Sequence, residues 1–343
     1  MKTLKIAIIC GPENGSPKVL AETLEPLIRK TGCSAEIFYQ AKAIRRLLPA
    51  SQAKRNSVLW FLYKLKHFLN DRKVFSKLKS TDAVIICDWT PHGFYNDTYN
   101  IKRLKKIINK PVLYYAVQFL ENSPTIIKRL KDGGHSLTEL YDWHLTVSSI
   151  TEQRGIPAPP WSQIGMNLRS TGLKPDPKKE FVAVVDFLRP GFEQYRETQI
   201  KVLEDLGVKY ISLEKEYTLE EIRELYKQAT LYFIQFPEAF GLPIAECLAC
   251  GSYVVTADSS WPMSWRLDEK PEVHGPGKLP GCFIVYNGES DLKQKIWNIK
   301  ENFDSAETPQ KVFDIFYQNY PTFYDGNSDS LHNVLKRIEE KNI

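Results

Sequence analysis

The sequence has no run of about 18–20 uncharged apolar residues, the length that a membrane-crossing helix needs. Cysteine is sparse: Cys10, Cys33, Cys87, Cys247, Cys250 and Cys282 are too few and too scattered for a disulfide scaffold. Cys247 and Cys250 form a single C-x-x-C. With no second pair this lacks half the ligands of a zinc site and reads as two buried thiols. D-x-D, H-E-x-x-H and histidine pairs at ligand spacing are all missing, so no metal site is expected. There is no G-x-G-x-x-G fingerprint for a dinucleotide and no Walker lysine. No fixed-period repeat and no low-complexity tract occurs, which excludes solenoids and long biased tails.

What is present is an ordinary globular composition. The 343 residues are 43% hydrophobic and 25% charged, enough for about two domains with sizeable cores. The stretch Met1–Cys10 is apolar but broken by Lys5, and it runs into Pro12, Glu13, Asn14 and Gly15. It reads as a first strand and not as a signal peptide, so a reducing cytoplasm is the expected compartment. The net charge of +5 conceals a split: residues 1–165 carry 25 Lys+Arg against 13 Asp+Glu, and residues 166–343 carry 21 against 28. Such asymmetry suits two domains with different partners, the basic one an anionic surface or a phosphorylated compound.

Hydrophobic patterning alternates strand and helix in both halves. Strands are expected at Leu4–Gly11, Ala35–Tyr39, Asp82–Cys87, Pro111–Gln118 and His144–Ser148, then at Phe181–Asp186, Lys209–Leu213, Leu231–Gln235, Tyr253–Ala257 and Cys282–Tyr286. Helices are expected at Pro17–Lys30, Ser57–Lys79, Tyr99–Asn109 and Pro124–Lys131, then at Tyr195–Leu206, Leu219–Gln228, Pro243–Cys250 and Leu292–Glu301. This order implies βαβ units and two doubly wound α/β domains with parallel sheets. The join falls in the proline-rich stretch Ile156–Lys179, and a last helix, Asp329–Lys341, follows a turn-rich stretch, Tyr320–Ser328. The expected domains are 1–165, 166–320 and a C-terminal helical segment, 321–343.

The segment Phe236–Val255 carries the most chemistry. A strand ends in a tight loop, and a short helix opens with Pro243 and closes at Gly251, the usual placing of proline and glycine at helix ends. The amides of Phe240, Gly241 and Leu242 are free at the helix start, beside a partial positive charge of about half a unit. That combination suits a diphosphate. Gly241 lets backbone approach a ligand. Glu238 and Glu246 flank the turn, and a carboxylate can accept hydrogen bonds from a vicinal diol. Taken singly, the two glutamates read more plainly as a solvated loop charge and a helix-dipole partner.

The whole string, with its F-G-L core at Phe240–Leu242, resembles the E-x7-E motif of retaining glycosyltransferases with the GT-B fold, in particular glycosyltransferase family 4. The resemblance implies two Rossmann-like domains with parallel sheets facing across a cleft. The acceptor would lie in the first and a nucleoside diphosphate sugar, UDP- or GDP-linked, in the second. It implies that Glu238 contacts the donor sugar, that Glu246 holds the ribose, and that the Phe240–Leu242 amides hold sugar and phosphate. It also implies that the C-terminal helix crosses back to the first domain. The glycine-rich first loop of that family corresponds to G-P-E-N-G-S, with Gly15 before the first helix. The family's arginine–lysine pair for the pyrophosphate corresponds to Arg189 and Arg196, with the lysine missing. Gln118 stands where the family has a histidine near the sugar, His92 is a second candidate for that cleft, and Ala239 replaces a usual glycine. The implied reaction needs no cofactor and moves a sugar to a hydroxyl with retention.

Residues Lys54–Lys79 hold eight Lys/Arg against Asp71 alone, interleaved with apolar residues at helical spacing. This reads either as a core-packed helix with a solvated basic face or as a helix lying on an anionic membrane that carries a glycan or lipid-linked acceptor. No nucleic-acid-binding pattern accompanies the charge. Two other functions fit the same motif: a non-catalytic sugar-binding subunit and a nucleotide-sugar epimerase.

Overall fold

The computed structural model describes residues 3–10, 15–39, 58, 61–62, 65, 74–87, 101–117, 141–148, 160–178, 180–236, 238, 240–257, 263–267 and 277–340. Gly11, His92, Gln118, Ala239 and the expected helix Pro124–Lys131 lie outside them. The chain divides into two compact units, Met1–Met166 with Gly326–Ile343, and Asn167–Asp325.

The first unit runs β1 (Lys5–Cys10), α1 (Ser16–Lys30), β2 (Ser34–Tyr39), β3 (Ala83–Cys87), α2 (Ile101–Ile108), β4 (Val112–Ala116), β5 (Trp143–Thr146) and β6 (Trp161–Gln163). All six strands are parallel, in the order β2-β1-β3-β4-β5-β6. The runs IAIIC, AVIIC and VLYYA are buried throughout, as strands covered on both faces must be. Ile9, Ile86, Leu104, Val112 and Tyr114 belong to one core cluster.

The second unit runs β7 (Val182–Val185), α3 (Glu193–Asp205), β8 (Lys209–Ser212), α4 (Leu219–Gln228), β9 (Leu231–Ile234), α5 (Leu242–Ala249), β10 (Tyr253–Thr256), β11 (Phe283–Val285), α6 (Gly288–Glu301), α7 (Glu307–Asn319) and α8 (Pro321–Asp325). Its five parallel strands stand in the order β11-β10-β9-β7-β8. A separate core gathers Val185, Leu203, Phe233, Val255 and Ile296.

The chain then returns to the first unit as α9 (Ser328–Glu339), which packs on α1 and β6. Gly326 makes the turn at φ +71°, where a Cβ would come within 2.8 Å of Leu27 Cδ1. Asn327 caps α9 by accepting from the Ser330 amide at 2.9 Å, and its own amide donates to the Ile164 carbonyl at 2.7 Å.

Three elements differ from expectation. The proline-rich join contains β6, because prolines are tolerated before an edge strand; the Pro160 carbonyl accepts from the His144 amide and starts the pairing with β5. A helix, α7, occupies Glu307–Asn319, since Pro309 falls in its first turn. Part of the turn-rich stretch is also helical, as α8, with Phe323 and Tyr324 buried. In the basic segment, residues 74–78 are helical and Phe75 and Leu78 enter the core. Val58 and Phe61 are 77% and 63% exposed, and Leu62 and Leu65 are exposed too. Among the described residues no helix is long and apolar enough to cross a membrane.

Candidate functional site

In the second unit the chain passes from β7 to β8 on one side, then continues from β9 on the other. The carboxyl ends of β7 and β9 therefore form the switch point at which open parallel sheets bind ligands. Val185 pairs with Phe233, and the Asp186 amide donates to the Phe233 carbonyl at 2.9 Å. Arg189 follows β7, and its guanidinium lies over the Phe236 ring at 4.9 Å. Since Phe236 follows β9, this contact joins the two strand ends through an exposed arginine and a half-buried ring.

The loop after β9 is fixed from below by aromatic packing. The Phe240 ring is buried, stacks on Trp265 at 5.2 Å and meets Phe323 edge-on. The Phe240 carbonyl accepts from the Trp265 indole. Its side chain is thus part of the core, and its place in a ligand site is through backbone. Gly241 sits at φ +69°, and a Cβ there would come 2.6 Å from Glu238 Cγ and 2.8 Å from Ile244 Cδ1. The missing side chain lets the stem of Glu238 fold against the start of α5. That start has Pro243 in its first turn. Among the described residues no side chain caps that start, where the first amides of a helix have no partner within it.

Glu246 lies one turn into α5 and is only 3% exposed. Its carboxylate does not stand alone. Arg223 of α4 donates from Nε to Oε1 at 2.8 Å, and Nη2 approaches the same oxygen at 2.8 Å. That second approach lies off the N–H axis, and Nη2 has no hydrogen bond among the described residues. Burial raises the Glu246 pKa, and the charge and hydrogen bond of Arg223 oppose the shift. Sequence reasoning missed Arg223, one of several charged residues of α4 with no local signal to set it apart.

Arg196 is 12% exposed and committed to the end of β8. Its Nη2 donates to Ser212 Oγ and to the Leu213 carbonyl, and Glu214 lies 3.6 Å away. Its Nε is buried without a hydrogen-bond partner among the described residues. It is neither a solvated helix charge nor a free clamp, but a fixed positive charge. Asp186 is buried at the switch point, where burial raises its pKa. The Phe187 amide, the Tyr232 hydroxyl and the charges of Arg189 and Arg196 oppose that shift. Gln235 donates to the Asp186 carbonyl, and Gln199 donates to the Ile234 carbonyl and the Tyr286 hydroxyl. The Oε1 atoms of both glutamines are buried without hydrogen bonds among the described residues. Spare polar atoms gathered at one strand end are unusual in a settled core. A polar residue at a strand end, like Asp186 or Gln235, or a single glutamine within a helix, like Gln199, gives no periodic signal, which is why the sequence did not single these out.

Behind the site, Lys178 is buried and its Nζ donates to the carbonyls of Lys227 at 2.6 Å and Cys250 at 2.7 Å. It places a cation at the carboxyl ends of α4 and α5, the favourable end of each helix dipole. Cys247 and Cys250 are buried free thiols, and burial pushes Cys250 up to about 12. Among the described residues no cluster of His, Cys, Asp and Glu could hold a metal ion. Gly15 lies in the first unit, exposed before α1 at φ +104°, with no side-chain cap on that helix.

No family model and no curated protein sequence matches the chain. Solved structures do. Anabaena HepE in complex with UDP and glucose is 12% identical, with a TM-score of 0.50 over 98% of this chain and 100% of that one. A Listeria monocytogenes protein assigned as a UDP-N-acetylglucosamine 2-epimerase is 11% identical, with a TM-score of 0.55 over 99% and 97%. Arabidopsis thaliana UGT89C1 complexed with quercetin is 11% identical, with a TM-score of 0.51 over all of both chains. Two Rossmann-like units, one with six parallel strands and one with five, and these neighbours together establish the GT-B fold for this chain.

Proposed function

We propose that the protein is a glycosyltransferase that moves a sugar from a nucleoside diphosphate sugar to a hydroxyl, with the donor held by the acidic unit Asn167–Asp325. The observation that carries this reading is the uncapped start of α5, flanked by Glu238 and Glu246 at the switch point of a parallel sheet. The opening amides and helix dipole suit the diphosphate. Glu246 takes the ribose hydroxyls and Glu238 those of the sugar, as the E-x7-E resemblance implies. Arg189 and the anchored Arg196 contribute positive charge. Gln118 and His92 are assigned to the sugar's surroundings by sequence alone, and Gly15 to the donor.

In the reaction the bond from sugar C1 to the diphosphate oxygen breaks and a bond from C1 to the acceptor oxygen forms. The acceptor proton leaves with the departing diphosphate, and configuration is retained, as likeness to family 4 implies. Negative charge grows on the diphosphate, where preorganised amides and cations stabilise the transition state most.

The acceptor, a glycan or lipid-linked hydroxyl compound, is assigned to the basic first unit. Exposed Val58, Phe61, Leu62 and Leu65 in a segment rich in Lys and Arg favour contact with an anionic membrane. The purified protein should sediment with anionic vesicles at low salt; failure to do so removes this part of the reading.

The test of the donor site is a thermal-shift panel of UDP-, GDP- and ADP-sugars, in which the true donor raises the melting temperature by mass action. Glu246→Ala should weaken binding roughly tenfold to hundredfold, the value of one or two charged hydrogen bonds. Nucleoside diphosphate release that requires an acceptor supports transfer. Sugar isomerisation without an acceptor supports the second reading, an epimerase, which the Listeria neighbour favours. Binding without turnover supports a non-catalytic subunit.

A further inference from the structure

The pairing of Glu246 with Arg223 is unsymmetrical. Both guanidinium approaches converge on Oε1, and Oε2 accepts no hydrogen bond from any described residue. A fork spread over both oxygens, the usual arginine–carboxylate geometry, would have left neither oxygen wholly free for a ligand. Arg223 is itself only 16% exposed, so its charge is little screened by water. The pair joins α4 to α5, and α4 is held at its start by a reciprocal cap: Thr218 Oγ1 accepts from the Glu221 amide, and Glu221 accepts from the Thr218 amide.

Building on the assignment of Glu246 to the ribose, we propose that Arg223 is the positioning residue of the site: it pins Glu246 through Oε1 and leaves Oε2 as the acceptor for a ribose hydroxyl. The chemistry recognised is an intact nucleoside ribose. A protonated Glu246 would be a poorer acceptor, and an unpinned one would have to be ordered on binding.

A merely structural pair and a positioning pair differ in pH dependence. Burial favours the neutral form of Glu246 and Arg223 opposes it. Without the guanidinium, Glu246 must take up its proton at higher pH than in the wild type. The experiment measures UDP-glucose affinity by calorimetry from about pH 5.5 to 8, a range in which neither its diphosphate nor its sugar titrates. The proteins are wild type, Arg223→Lys, Arg223→Gln, Glu246→Gln and the Arg223→Gln/Glu246→Gln double variant, which removes both charges together and guards against loss of fold.

The wild type should lose the least affinity toward the acid end, because Arg223 opposes the shift that burial imposes on Glu246. Arg223→Gln should bind about tenfold more weakly at the acid end than at the alkaline end, and Arg223→Lys should show less of this slope. Glu246→Gln should be weak and flat, and the double variant no weaker than Glu246→Gln. Carbon-13 NMR of the carboxyls, read by difference against Glu246→Gln, should show the Glu246 midpoint higher in Arg223→Gln without any nucleotide present. An unchanged midpoint, or an Arg223→Gln loss equal at every pH, overturns the inference while leaving the donor site intact. A wild type that binds no nucleoside diphosphate sugar overturns the donor site first, and the ligand role of Arg223 with it.

Discussion

Gly241 shows how one residue sets the approach to a helix start. Its φ of +69° disfavours any side chain, and its missing Cβ makes room for Glu238 and Ile244. Gly241→Ala should cost about 1–3 kcal/mol in urea unfolding and weaken nucleotide-sugar binding by displacing Glu238. Lys178 acts from the other end of α5. Lys178→Met keeps much of the volume but strips the donor from two buried carbonyls, so a loss of about 1–3 kcal/mol is expected in the same assay. Asp186 gives a prediction of opposite sign. Its folded pKa is raised, so the folded state holds this proton more tightly than the unfolded chain does. Ionisation therefore costs stability above the folded pKa, and that cost vanishes below the ordinary carboxylate value of about 3.9. Asp186→Asn should raise the melting temperature at neutral pH, with the gain shrinking to nothing as the solution is acidified.

At the scale of elements, the central strands were legible because they are short continuous apolar runs, and α5 because Pro243 and Gly251 mark its ends. The edge was harder to see. Only three residues of β6 pair, and prolines precede them, so neither alternation nor a run could develop. In α7 the early Pro309 imitates a break that the first turn does not feel. Glu238, Glu246 and the amides between them could be read from a motif. Arg223 could not, because its partner is set by the packing of α4 on α5, which no local pattern encodes. The cap of α4 is open to test: Thr218→Ala should cost about 1 kcal/mol, seen as a shift in urea midpoint. Gly251, at φ +76°, ends α5 where a Cβ would strike the Pro309 carbonyl of α7. Gly251→Ala should be among the most damaging single changes in the second unit, judged by the same midpoint.

Over the whole molecule, the core cluster around Ile86 and the one around Phe233 share no residues, and each sheet has its own switch point. Calorimetry of the full chain with and without a saturating nucleotide sugar should move the transition of the unit Asn167–Asp325 most, by about 2.7 kcal/mol at a hundredfold excess over Kd. Equal movement of every transition would argue against a donor held chiefly by that unit.

The placement of α9 has a bearing on biosynthesis. Multidomain chains commonly fold from the amino end onward as they leave the ribosome. Here the unit that begins first is completed by a helix translated only after Asn167–Asp325 has been made in full. The later-starting half can thus reach its native form while the earlier one still waits for its final piece, and Gly326 is the point at which a nascent chain turns back to supply it.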